Sequence, residues 1–222
     1  MSDQFFKSPE YYSNVRSDIL PLLPHGTHKI LEVGCGTGKT LAHLRDKGLA
    51  TWTGGIELNQ IAAKAAQDNI DCVWAGDAVS WLEAEEGPAK KAPYDIILCL
   101  DVLEHIIDPW AMTNRLGSLL RPGGSIVAVL PNIRFYKVVF NLLFRGQWTY
   151  EESGVLDSTH LRFFTRSTMV ELLEQAGLHV ELVKPVANMK PWRSKWLLNK
   201  LSRDRLLDIY AYSFGLRAVK IC

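Results

Sequence analysis

Lys29-Ile30-Leu31-Glu32-Val33-Gly34-Cys35-Gly36-Thr37-Gly38-Lys39-Thr40 decides how this 222-residue chain is read. Lys29 to Val33 has the continuous apolar character of a strand covered on both faces. Three glycines then alternate over five positions, where residues without a Cβ allow a tight turn and let another group approach the bare backbone. Gly38 to Lys47 has the pattern of a helix. A buried strand that turns on glycines directly into a helix is the opening of a crossover α/β unit.

The pattern repeats outward from that turn. Thr51 to Glu57, Asp71 to Ala75, Tyr94 to Leu100 and Ser125 to Leu130 read as further strands. Gln60 to Asn69 and Pro109 to Leu120 read as helices between them, and Arg121-Pro122-Gly123-Gly124 as a turn. Phe135 to Phe144 reads as an aromatic, apolar helix, and Gly146 to Arg162 as irregular and polar. Ser167 to Ala176 reads as a helix capped by Thr165 or Ser167 and stopped by Gly177. Leu178 to Val183 and Tyr210 to Ile221 read as strands, with an insertion bearing a basic helix over Pro185 to Asp208. The expectation is a doubly wound α/β fold, a mostly parallel sheet with helices on both faces. Ligands in such sheets lie beyond the carboxyl ends of the strands, which singles out the loops after Val33, Glu57, Ala75 and Leu100.

Composition sets the outer bounds. Hydrophobic residues are 47% and charged residues 22% of the chain, enough apolar matter for one sizeable core. The formal net charge of +1 gives no global attraction for nucleic acid. No run approaches the ~18 apolar residues of a membrane helix, and the N-terminus lacks a signal sequence, so the cytoplasm is the expected compartment. Cys35, Cys72, Cys99 and Cys222 form no C-x-x-C pair, which points to reduced thiols rather than a zinc or redox motif. Nothing in the sequence calls for a metal.

Three patterns compete for the glycine turn. A G-x-G-x-x-G fingerprint needs a glycine where Lys39 stands. A phosphate loop, G-x-x-x-x-G-K-[ST], is supplied at its end by Gly38-Lys39-Thr40 but needs a glycine where Val33 stands. An acid, one residue and G-x-G-x-G is matched throughout by Glu32, Gly34, Gly36 and Gly38. Glu32 can hold a cation or organise loop amides, which suits a positively charged ligand better than a triphosphate.

This last pattern resembles the first motif of class I S-adenosylmethionine-dependent methyltransferases, and later segments match that family in order. Glu57 and Leu58 stand at the end of the second strand, where the resemblance implies contact with ribose hydroxyls. Asp77 and Ala78 stand where the family contacts adenine. Leu100-Asp101-Val102-Leu103-Glu104-His105 resembles the segment beside the methionine moiety, and Leu120 to Gly124 the turn before the fifth strand. Asp157 to Thr165 is similar to a segment of the small branch that includes the MetW-like and ubiquinone-biosynthesis-like enzymes. The resemblance implies seven strands with the last one antiparallel. It implies S-adenosylmethionine held by Glu32, Gly34, Cys35, Gly36, Gly38, Glu57, Leu58, Asp77, Ala78, Leu100, Asp101 and His105, with Tyr11 in an N-terminal lid. It further implies a small-molecule methyl acceptor and a single domain: residues 1–28 as lid, 29–130 as cofactor core, and 131–164 and 185–208 as insertions shaping the acceptor site.

Methyl transfer to a hydroxyl, acid or amine can require a base. His160 ranks first for that role and His105 second, since His160 falls where the family varies its acceptor pocket. His105 could equally be a structural histidine, and a structural role is the alternative for His160. Lys184, Lys190, Arg193, Lys195, Lys200, Arg203 and Arg205, interleaved with Trp192 and Trp196, could meet a membrane surface or a lipid-linked acceptor, as could Phe135 to Phe144. A helix packed on the core is the alternative. Two rival functions remain open at this point: a phosphate-loop nucleotide hydrolase, and a methyltransferase-like subunit without catalysis.

Overall fold

The computed structural model describes residues 12–186 and 207–221. Seven strands, β1 (His28–Val33), β2 (Ala50–Glu57), β3 (Cys72–Ala75), β4 (Tyr94–Leu100), β5 (Leu120–Pro131), β6 (Leu178–Val186) and β7 (Ser213–Lys220), form one sheet in the order β3-β2-β1-β4-β5-β7-β6. The pairs among β1 to β5 are parallel, and β7 runs antiparallel to both β5 and β6. Helices α1 (Lys39–Asp46), α2 (Gln60–Ala66), α3 (Ala78–Glu83), α4 (Pro109–Leu119), α5 (Tyr136–Arg145), α6 (Arg166–Gln175) and α7 (Leu207–Tyr210) connect the strands. The strand order reverses between β1 and β4, which places the glycine turn and the loop after Leu100 side by side.

Alternating side chains of one strand feed two separate cores. Leu31, Val33, Ile97, Cys99, Ile126 and Ala128 pack with Met112 and Leu116 of α4 and Leu172 of α6. Ile30, Ile96, Leu98, Leu100, Val127 and Val129 pack on the other face with Leu41 and Leu44 of α1 and Ala66 of α2. This two-sided burial is why the central strands read as unbroken apolar runs. Each buried branched side chain contributes roughly 1.5–3 kcal/mol.

Arg121 to Gly124 does not separate α4 from β5 as a free turn. Leu120 already pairs with Tyr94, and the next paired residues are Ile96 and Ser125, so the intervening residues bulge out of a strand that has begun. β6 also extends to Val186, through Pro185, because Lys184 to Val186 pair with Ser213 to Gly215. α6 begins at Arg166 with Thr165 as its cap: the Thr165 hydroxyl accepts from Thr168 N–H, and the Thr168 hydroxyl accepts from Thr165 N–H. The basic, tryptophan-bearing stretch expected after Pro185, the lid residue Tyr11, and Cys222 lie outside the described residues.

Candidate active site

The glycine turn is built by its neighbours. Gly34 and Cys35 both donate from N–H to Ile56 O, at 2.8 and 3.1 Å, tying β1's exit to β2. Gly34, Gly36 and Gly38 have φ of 74°, 54° and 75°, a region in which side-chain-bearing residues are strained. Cys35 Sγ occupies the space that a Cβ on Gly55 would need, so the thiol points into the sheet and burial raises its pKa. Cys35 can face a ligand only through its backbone.

Glu57 is the keystone of the turn. Its buried carboxylate accepts from Gly36 N–H and from Asn59 N–H, both at 2.8 Å. Burial raises its pKa, and these backbone bonds pull it back toward the ionised form. Leu58 beside it is exposed. At the third strand end, Asp77 accepts from Ser80 N–H and Oγ–H, at 2.8 and 2.9 Å, and so caps α3, with Ala78 as the first residue of that helix.

An N-terminal segment lies across the turn. Tyr12 O accepts from Thr37 N–H at 2.9 Å and from Thr37 Oγ1 at 3.1 Å. Arg16 N–H donates to Thr40 Oγ1, and the Arg16 guanidinium pairs with Asp18 and with Asp101. Asp101 follows Leu100 with a φ of 53°, the one non-glycine residue with positive φ among those described, and its N–H is held by Val129 O at 3.0 Å. Glu32, buried at the end of β1, feels the Arg16 charge. Burial, partly offset by Arg16, raises its pKa to about 8, and Oε2 accepts no hydrogen bond from the described residues. Arg16 was not foreseeable from the sequence, because a lone arginine well ahead of the turn carries no local signal.

The loop after β4 and the Asp157–Phe163 segment are bonded together. Glu104 O accepts from Leu161 N–H and Arg162 N–H at 2.8 and 3.0 Å, and the Arg162 guanidinium donates twice to Ile107 O. The His105 and His160 rings consequently meet edge to face, with centroids 4.8 Å apart. His160, 8% exposed, places Nδ1 3.1 Å from Val155 O and Nε2 3.9 Å from Glu104 Oε1. The Glu104 carboxyl is 1% exposed with no hydrogen-bond partner among the described residues, and burial together with nearby Asp101 holds its pKa well above the usual range. One ligand atom each from Glu104, His105 and His160 lies within 4.8 Å of the others, a set able to take a proton or a cation. No sequence pattern announces that grouping, since His105 and His160 are separated by the whole of α4, β5 and α5. A cavity of about 820 Å³ joins Asp77 and Val79 to His105, Ile107, Met112 and Leu161.

Residues 8–183 match the family model described as "Methyltransferase domain". The chain belongs to this methyltransferase family. It is an S-adenosylmethionine-dependent enzyme, as the ordered motifs implied. It is 27% identical over 187 residues to a ubiquinone biosynthesis O-methyltransferase of Xylella fastidiosa, covering 78% of this chain and 69% of that one. In fold it is similar to a SAM-dependent methyltransferase from Archaeoglobus fulgidus, at a TM-score of 0.63 and 18% identity, covering 96% and 95% of the two chains. It also resembles magnesium protoporphyrin IX methyltransferase of Synechocystis with bound SAH, at a TM-score of 0.58 and 16% identity over 87% of this chain and 74% of that one. Nothing in these matches supports a nucleotide hydrolase. The residues present suit the donor: a turn of three left-handed glycines at the carboxyl end of β1, and an unsatisfied buried acid, Glu32, where a cation would find a partner.

Proposed function

We propose that the enzyme moves the methyl group of S-adenosylmethionine to a hydroxyl of a small acceptor lying against His105, with His160 behind it. The observation that carries this reading is the bonding of the β4 loop to Asp157–Phe163. It brings both rings together next to Glu104, on the loop that follows β4 at the carboxyl end of the sheet. The relatives named for ubiquinone biosynthesis are O-methyltransferases, which favours oxygen as the accepting atom.

S-adenosylmethionine supplies an already activated methyl group. Glu57, Gly34, Gly36 and Gly38 shape the donor loop, and Asp77, Ala78, Leu58 and Leu100 flank it. Glu32 and the Arg16–Asp101 ion pair stand toward its amino-acid end, where a bound cation would draw the Glu32 carboxyl toward its ionised form. His105 lines the cavity and takes the acceptor's hydroxyl proton as its oxygen bonds to the methyl carbon. The electron pair of the broken carbon–sulfur bond remains on sulfur. His160 is the more deeply buried ring, and it backs His105 from the Glu104 side. Replacing His105 by alanine lowers turnover about 10²–10⁴-fold while leaving the affinity for S-adenosylhomocysteine unchanged. Transfer of label from donor to protocatechuate, a ring with two adjacent hydroxyls, tests oxygen as the acceptor. Labelling of amines or thiols but of no hydroxyl compound in a panel overturns it.

The acceptor's body is apolar in this reading. α5 exposes Phe140, Leu142, Leu143 and Phe144, the last two at 70% and 74%. Lys137 and Arg145 flank them, and Arg145 lies over the Phe140 ring. Such a face suits a lipid-linked acceptor presented at a membrane surface. Among the described residues no helix is long and apolar enough to cross a membrane. Cys35, Cys72 and Cys99 are free thiols, which suits the cytoplasm.

A further inference from the structure

Asp157 is buried and makes two bonds to one residue. Its Oδ1 accepts from Thr159 N–H at 2.9 Å and from Thr159 Oγ1–H at 2.7 Å. The hydroxyl's single hydrogen is thereby committed to the carboxylate. What Thr159 offers on its other side is lone pairs alone. His105 Nδ1 lies 3.1 Å from Thr159 O and 3.2 Å from Thr159 Oγ1. A carbonyl never donates, and this hydroxyl has no second proton to give. Both Thr159 atoms at Nδ1 therefore ask it for a hydrogen. In a neutral imidazole that leaves Nε2 with the lone pair, since the partner of one ring nitrogen selects the state of the other.

We propose that Asp157 and Thr159 are positioning residues that hold the His105 proton on Nδ1 and keep Nε2 as the proton-accepting nitrogen. The inference rests on the reading of His105 as the ring that meets the acceptor. The ties from Leu161 and Arg162 to Glu104 O, and from the Arg162 side chain to Ile107 O, clamp Thr159 and His105 at a fixed separation. The lock therefore belongs to the joined loops and not to one flexible contact. It is also indirect: Asp157 acts on the ring through a threonine rather than touching it.

The test is a nitrogen-15 NMR measurement of the histidine rings in the full chain saturated with S-adenosylhomocysteine, with assignment by a His105→Gln variant. In the wild type His105 shows a protonated Nδ1 and an unprotonated Nε2. Thr159→Val, which keeps the shape, removes the hydroxyl and leaves the backbone carbonyl, weakens the hold on the Nδ1 proton and makes a share of the Nε2-protonated tautomer measurable. It also lowers turnover of protocatechuate at least ~10-fold, with S-adenosylhomocysteine affinity unchanged. Thr159→Ser restores both the tautomer and the rate. A proton on Nε2 in the wild type overturns the proposal even if no variant folds. So does a Thr159→Val protein with the wild-type tautomer. A tautomer that mixes as expected while turnover is unchanged upholds the lock and removes His105 from the chemistry, which is a failure of the proposed function alone.

Discussion

Glu32 sits at the carboxyl end of β1 with an oxygen that nothing described satisfies, and its pKa is lifted from 4.5 to about 8. Between those values the folded chain keeps a proton that the unfolded chain releases, so stability falls as pH rises from about 4.5 to about 8 and levels off above. A folded-state pKa one pH unit above the unfolded value corresponds to about 1.4 kcal/mol. Urea midpoints of the ligand-free protein, measured from about pH 5 to pH 9, are expected to decline. Glu32→Gln makes the decline shallower, and Glu57, Asp101 and Glu104, displaced in the same direction, contribute to the remainder. Gly36 poses a different constraint. A Cβ there would strike Tyr12 O, and its φ of 54° strains any other residue. Gly36→Ala thus displaces the segment that crosses the turn as well as straining the turn itself. A loss of roughly 1–3 kcal/mol is expected, with faster proteolysis near Tyr12 and weaker S-adenosylhomocysteine binding by calorimetry. The steric conflict at Gly36 is with the protein's own chain, which the motif by itself did not reveal.

α5 is the element whose sequence and placement pull apart. Its apolar pattern reads equally as a core helix, yet only Val138 is buried, packed with Val155 and Leu156 in a small satellite cluster. The rest of its aromatic face is divided among a local contact, Phe140 with Phe144, a contact of Tyr136 with Tyr210 of α7, and solvent. Leu143→Ser with Phe144→Ser is expected to change stability by no more than about 0.5 kcal/mol, as for other exposed positions. The same pair of changes reduces flotation with anionic vesicles and raises KM for a long-tailed acceptor but not for protocatechuate. Equal flotation of wild type and variant removes α5 from any membrane role. α3 shows the opposite case: Asp77, singled out for a ligand, is also the cap that starts the helix, and one carboxylate oxygen remains for other work.

The molecule as a whole is a sheet whose strand order reverses at the glycine turn, the proposed donor loop, so donor binding there and global stability are linked. At a hundredfold excess over Kd, S-adenosylhomocysteine is expected to stabilise the fold by about 2.7 kcal/mol. For a chain of this size that is a rise in Tm of roughly 5–10 °C. Magnesium ATP is expected to give none, and the reverse result would return the phosphate-loop reading.

On its own, the chain told where six of the seven strands fall to within about three residues, and that a parallel sheet turns on glycines into α1. These features are local: buried strands are continuously apolar, turns need glycine, and a helix announces its cap. The exception is β5, which starts at Leu120 because pairing with Tyr94 precedes the bulge. The last strand is shorter than its pattern, beginning at Ser213 where pairing with Val186 starts. Other facts came only from the folded chain. Arg16 reaches Asp101, Glu57 ties down Gly36, and the dyad of His105 and His160 is made by bonds from Glu104 to a segment more than fifty residues away. Those contacts join positions with no periodicity between them. Their energy comes from tertiary burial and hydrogen bonding, which a one-dimensional pattern does not encode.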